Sequence, residues 1–166
     1  DMVLLSFTFY HKRWSTIVLV GPPGSGKSTI CHRMRGFDQD SLLDLSNVDD
    51  DFVAKEQDAL RQTLARIQDN ALSGIVATGG SVVYGGGADR LRLSRALVVW
   101  LRISYETMQA RCGDLKARGV VLPHRTTMDK WFAERQKLYA AAADLCIDTE
   151  VHDVASVVAI LDRLSS

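Results

Sequence analysis

Apolar residues in this chain fall into short, largely β-branched runs. Between the runs lie longer stretches in which apolar residues recur every three or four positions. Residues 15–20, STIVLV, make the first run and stop at a glycine-rich turn. A short unbroken run bounded by a turn reads as a parallel strand buried on both faces. Four more strands are expected at 41–46 (SLLDLS), 75–80 (IVATGG), 96–103 (ALVVWLRI) and 143–149 (ADLCIDT). Helices are expected between them. The first covers about 27–35 and stops near Gly36. A second follows a group of aspartates, with Phe52, Leu60, Leu64 and Ile67 at helical spacing, and ends before Gly74. Residues 81–94 read as a loop with a possible short helix. Three more helices are expected: 104–112, with Ser104 as its cap, 127–143, and the terminal stretch 151–166.

Strands that alternate with helices imply a parallel sheet covered on both faces. The expected fold is therefore α/β, a three-layer α/β/α sandwich around a five-stranded parallel sheet. One domain spans 1–166, with a glycine- and proline-containing lid at about 112–126.

Composition narrows the partners. Hydrophobic residues make up 46% and charged residues 24%, and 20 basic residues balance 20 acidic ones. A nucleic-acid partner is not expected without basic excess. No apolar run reaches the roughly 18 residues of a membrane span. The apolar run at 2–9 precedes its basic residues, the reverse of a secretory leader, so the expected location is cytoplasmic. Cys31, Cys112 and Cys146 are widely spaced, which predicts reduced thiols, with Cys112 the accessible one. The sequence does not set an oligomeric state.

Residues 21–29, GPPGSGKST, change the picture most. They fit G-x-x-x-x-G-K-[ST] without a mismatch, between a strand and a helix. Glycines let the backbone curl so that several N–H groups point at phosphate oxygens, and the following helix adds its positive end. Gly21, Gly24, Ser25, Gly26, Lys27, Ser28 and Thr29 form the expected cradle. Lys27 is expected to reach the β and γ phosphates and the Ser28 hydroxyl to bind Mg²⁺. ATP and Mg²⁺ are the expected cofactors.

Four stretches taken together carry a resemblance: GPPGSGKST, LLDLS, VATGGS, and the distal ARGVVL with RQKLYAAAADLCIDT. In order and spacing they resemble the shikimate kinase family of P-loop metabolite kinases across most of residues 15–150. The resemblance places Asp44 at the first of two strand-end acids, where it would help hold Mg²⁺. It places Ser46 at the second, where the family has an aspartate facing the acceptor hydroxyl, with Asp49, Asp50 or Asp51 as substitutes. Phe52 and Glu56 fit an F-R-x-x-E pattern whose arginine is Val53 here, and the substrate-binding segment, about 46–60, looks short. Gly79 and Gly80 match an acceptor-lining glycine triplet, and Ser81 replaces the third glycine. Arg118 corresponds to the lid arginine, Arg111 to one packed near the nucleotide base, and Arg135 to one that holds the acceptor's acid. Arg125 is a further lid candidate.

The resemblance implies transfer of the γ-phosphoryl group of Mg·ATP to a hydroxyl of a small, acidic metabolite. Shikimate is the default acceptor, and a smaller hydroxylated acid is the alternative that suits Ser46, Val53 and the short segment. Two other readings stay open from sequence: a nucleotide-binding or ATPase module without a metabolite acceptor, and a nucleoside monophosphate kinase.

Overall fold

The computed structural model describes residues 12–43, 51–113, 120, 122 and 125–166. Strand β1 (Thr16–Val20) lies at the centre of the sheet, buried along its whole length. It pairs in parallel with β3 (Gly74–Ala77) on one side and β4 (Leu97–Arg102) on the other. Strand β2 (Phe37–Asp38) extends the sheet beyond β3, and β5 (Leu145–Asp148) extends it beyond β4. The order is β2-β3-β1-β4-β5, with every pairing parallel. The expected five-stranded α/β sandwich is present.

The alternation of side chains along a strand divides the core between two faces. Ile17 and Leu19 point to one face, where they pack with Ile30 and Cys31 of helix α1 (Lys27–Arg33) and with Val157 and Leu161 of α6 (Val154–Leu164). Val18 and Val20 point to the other. There they meet Leu60 and Ile67 of α2 (Phe52–Gln68), Leu91 of α3 (Gly87–Arg92), and Tyr139 and Ala142 of α5 (Met128–Ala142). A smaller cluster joins Met108 and Cys112 of α4 (Tyr105–Cys112) to Trp131 and Phe132 of α5. Ser104 caps α4 as expected, its hydroxyl accepting from the Thr107 N–H.

The second strand does not fall at 41–43, and residues 44–46 of that expected strand lie outside the described residues. It is the two-residue β2, followed by a 3₁₀ turn at Gln39–Leu42. The cause is local: the Asp38 carboxylate accepts from the Asp40 N–H at 3.1 Å and turns the chain out of the ladder. Ser41 and Leu42 are exposed, so the alternation in SLLDLS does not mark a buried strand there. The third strand likewise ends at Ala77, and residues 78–80 form the turn beyond it.

Gly36 places β2. Its N–H donates to the Cys31 carbonyl at 2.8 Å, and a Cβ on it would sit 2.2 Å from the Ile75 carbonyl oxygen. A backbone oxygen at that distance cannot move aside cheaply. Gly36→Ala is expected to cost about 1–3 kcal/mol, read as a fall in the urea midpoint at unchanged slope. An unchanged midpoint would show that β2 is not held by this contact.

Candidate active site

The carboxyl ends of β1, β2 and β3 open onto one cavity of about 440 Å³. Its floor is the turn from Gly21 to α1. Gly24 and Gly26 take left-handed backbone angles, with φ of 75° and 95°, which glycine adopts at little cost. A Cβ at Gly24 would lie 2.8 Å from Cys112 Sγ. The Arg111 guanidinium donates to the Gly24 carbonyl at 3.0 Å, so α4 braces the turn from outside. Cys112 is buried in this contact rather than accessible, and the exposed cysteine is Cys146.

Lys27 Nζ lies over the turn and donates to the Gly21 and Pro22 carbonyls at 2.7 and 3.0 Å. Burial lowers its pKa to about 8 from 10.5, with Arg135 adding to the fall and Asp40, Glu56 and Asp38 opposing it. Ser25 is buried with its Oγ unpartnered, whereas Ser28 and Thr29 are exposed and line the cavity.

The opposite wall comes from β2, α2, the β3 turn and α5. Asp40 lines it, and burial raises its carboxyl, as does the charge of Asp38, against the pull of Lys27. Glu56 reaches it from α2, its carboxyl raised by burial and drawn back in part by the Ser81 hydroxyl and Arg135. A Cβ on Gly79 would fall 1.8 Å from Glu56 Oε1, so a side chain there would push that carboxyl aside. Gly80 is fixed from above: the Tyr139 hydroxyl donates to its carbonyl at 2.7 Å, and burial pushes the phenol up to about 12. Gln57 holds the next stretch by donating to the Ser81 and Val82 carbonyls. Arg135 completes the wall, buried, with Nη2 donating to Ser81 Oγ at 2.7 Å.

A second cavity, of about 510 Å³, lies behind the glycine turn. Arg111, Thr149, His152 and Asp153 line it. Glu150 holds its far wall by accepting from the Ser104 N–H and hydroxyl at 2.8 and 3.0 Å. A planar ring placed there would meet the flat Arg111 guanidinium.

Residues 23–165 match the shikimate kinase family. The chain belongs to that family. The shikimate kinases of Francisella philomiragia and of Francisella tularensis subsp. novicida are each 28% identical to it, across 88% of this chain and 92% of theirs. Among solved structures, shikimate kinase from Acinetobacter baumannii in complex with shikimate has a TM-score of 0.72 at 20% identity, covering 92% of this chain and 93% of that one. The Aquifex aeolicus shikimate kinase has a TM-score of 0.66 at 22% identity, covering 90% and 95%. These structures share the P-loop fold. Family membership assigns the chain P-loop kinase chemistry, phosphotransfer involving a small metabolite.

The structure brings most of the expected residues together. Gly24, Gly26, Lys27, Ser28, Thr29, Gly79, Gly80, Ser81 and Arg135 line one cavity. Gly21 and Ser25 shape the turn beneath it, and Arg111 stands behind it. Asp44, Ser46, Asp49, Asp50 and Arg118 lie outside the described residues. Arg125 is described, but does not line either cavity.

Two acids were missed. In the sequence FDQD directly after Gly36, Asp40 lines the cavity opposite the glycine turn, and the charge of Asp38 reaches Lys27. The signal was present, since two acids one residue apart follow a glycine and an aromatic. Glu56, noted in sequence only as fitting a pattern, is a buried wall residue.

Lys27 generates a pH prediction. Its folded pKa lies below its unfolded value, so between about 8 and 10.5 the unfolded chain holds a proton that the folded chain has released. Stability contributed by this group therefore rises with pH across that window. Urea unfolding of Lys27→Met at pH 7.5 and 9.5 should lack that component of the wild-type rise. The same pH response in both proteins would place the ammonium in water rather than in the wall.

Proposed function

We propose that this protein transfers the γ-phosphoryl group of Mg·ATP to a hydroxyl of a small acidic metabolite, with shikimate the first acceptor to try. One observation carries the reading: the phosphate turn with Lys27 and the wall with Asp40 and Arg135 face each other across a single cavity. A donor phosphate and an acceptor hydroxyl held there become neighbours, and much of phosphoryl transfer is positioning and charge stabilisation.

The residues present fit the nucleotide and its metal. Backbone amides of the glycine turn, Lys27 and Thr29 suit phosphate oxygens. Ser28 with the Asp38 carboxylate suits Mg²⁺, which takes oxygen ligands and keeps several waters. Mg²⁺ shared with phosphates needs no cage of its own, and among the described residues no cluster of three or more His, Cys, Asp or Glu forms one. When bound, Mg·ATP supplies the phosphoryl group and neutralises part of its charge.

This chain's residues do the remainder. Lys27 holds phosphate charge at the floor. Asp40 orients the attacking hydroxyl and takes its proton; burial raises its carboxyl, which makes it a stronger base than a surface aspartate. Arg135 holds the acceptor's acid, and the Tyr84 and Trp131 rings lie within cation–π reach of its guanidinium. Arg118 serves as the lid cation, and Arg111 packs beside the nucleotide base.

The test is ADP release from Mg·ATP, with and without shikimate. Wild type should turn over only with the acceptor present, and Lys27→Ala should lose at least about a hundredfold. Asp40→Asn should lower kcat by about 10²–10⁴ with the KM for ATP nearly unchanged. Arg135→Lys should raise the acceptor KM more than it lowers kcat. ATP binding without ADP release for shikimate or any member of a hydroxy-acid panel would overturn the proposal.

A further inference from the structure

Three buried polar side chains close the acceptor end of the cavity: Glu56, Ser81 and Arg135, at 2%, 7% and 3% exposure. Arg135 lies 4.2 Å from the Trp131 ring centre and 5.2 Å from that of Tyr84. Both rings lie within cation–π reach of the guanidinium. Within the plane, Nη2 donates to Ser81 Oγ, and Nη1 packs on Gly80, where a Cβ would come within 2.8 Å. Nε is enclosed without a partner, and so is Glu56 Oε2.

A guanidinium grips a carboxylate best through two parallel N–H bonds. It has two forked edges for this, Nε with Nη2 and Nη1 with Nη2. Each edge uses its own hydrogen of Nη2, so the bond to Ser81 takes up one edge and leaves the other to be hindered at Nη1. On the Nη1 side the Gly80 backbone already stands close.

We propose that Ser81 is an acceptor-selectivity residue: its hydroxyl holds one N–H of Arg135, leaving the guanidinium to grip the acceptor's acid through a single oxygen. Recognition then shifts from the acid to the acceptor's hydroxyl groups. The unpartnered oxygen of Glu56 and the carboxyl of Asp40 are placed to accept from them. A glycine at this position would leave Nη2 free. The inference rests on the acceptor reading given under Proposed function.

The experiment compares wild type, Ser81→Ala and Ser81→Gly by calorimetric titration. The probes are shikimate and its methyl ester, which lacks the negative charge. Removing the hydroxyl should tighten shikimate binding by at least about tenfold, the worth of one charge-assisted hydrogen bond. Binding of the ester should change by less than about threefold. Ser81→Gly gives an independent answer if Ser81→Ala fails to fold.

Three results would overturn the proposal: shikimate binding no tighter in the variants, an equal gain for the ester, or no shikimate binding in any of the three proteins. An equal gain would mark a change of space rather than of charge contact. Because the readout is binding, a failure of phosphoryl transfer registers separately, as absent ADP release.

Discussion

Parallel pairing forces every strand of a sheet to end on the same side, and the chemistry of this molecule follows from that constraint. The end of β1 delivers the phosphate turn, β2 delivers Asp38 and Asp40, and β3 delivers Gly79, Gly80 and Ser81. The end of β4 leads into α4 and Arg111, and the end of β5 into the wall of the second cavity. β1 sits between β3 and β4, so the phosphate turn is flanked on both sides. The first cavity therefore opens toward the β2 and β3 half of the sheet, and the second toward the β5 half.

The same arrangement concentrates charge where water is scarce. Lys27, Asp40, Glu56 and Arg135 meet across a few side chains, and burial shifts Lys27 down and both carboxyls up. Unpaired buried charge costs stability. Several polar atoms here, among them Ser25 Oγ, Glu56 Oε2 and Arg135 Nε, are enclosed without partners. A wall of this kind is poor as packing and well suited to binding, because a ligand can supply the missing partners. Selection for a fold alone would favour apolar residues at these positions.

The sequence made the fold legible wherever burial was complete. β1 and β4 are continuous apolar runs, and the helices between strands show their buried stripe, so β1, β3, β4 and β5 could be read in place. It failed at the edge of the sheet. β2 pairs on one side only and needs two residues, which leaves no periodic signature. The SLLDLS stretch has a stronger alternation than FDQD, and so points away from Asp38 and Asp40. The phosphate turn was legible residue by residue because its geometry dictates its sequence. Arg135 and Ser81 were legible as positions but not as partners, since a bond across 54 residues has no local signal.

The central claim is that the cavity passes phosphate from a nucleotide to an organic hydroxyl. The most direct measurement follows the label from [γ-³²P]ATP in a reaction with Mg²⁺ and a mixture of hydroxylated acids, separated by charge. The predicted result is label on an acidic organic phosphate ester, absent with Lys27→Ala. Label recovered only as inorganic phosphate, or remaining wholly in ATP, would contradict it.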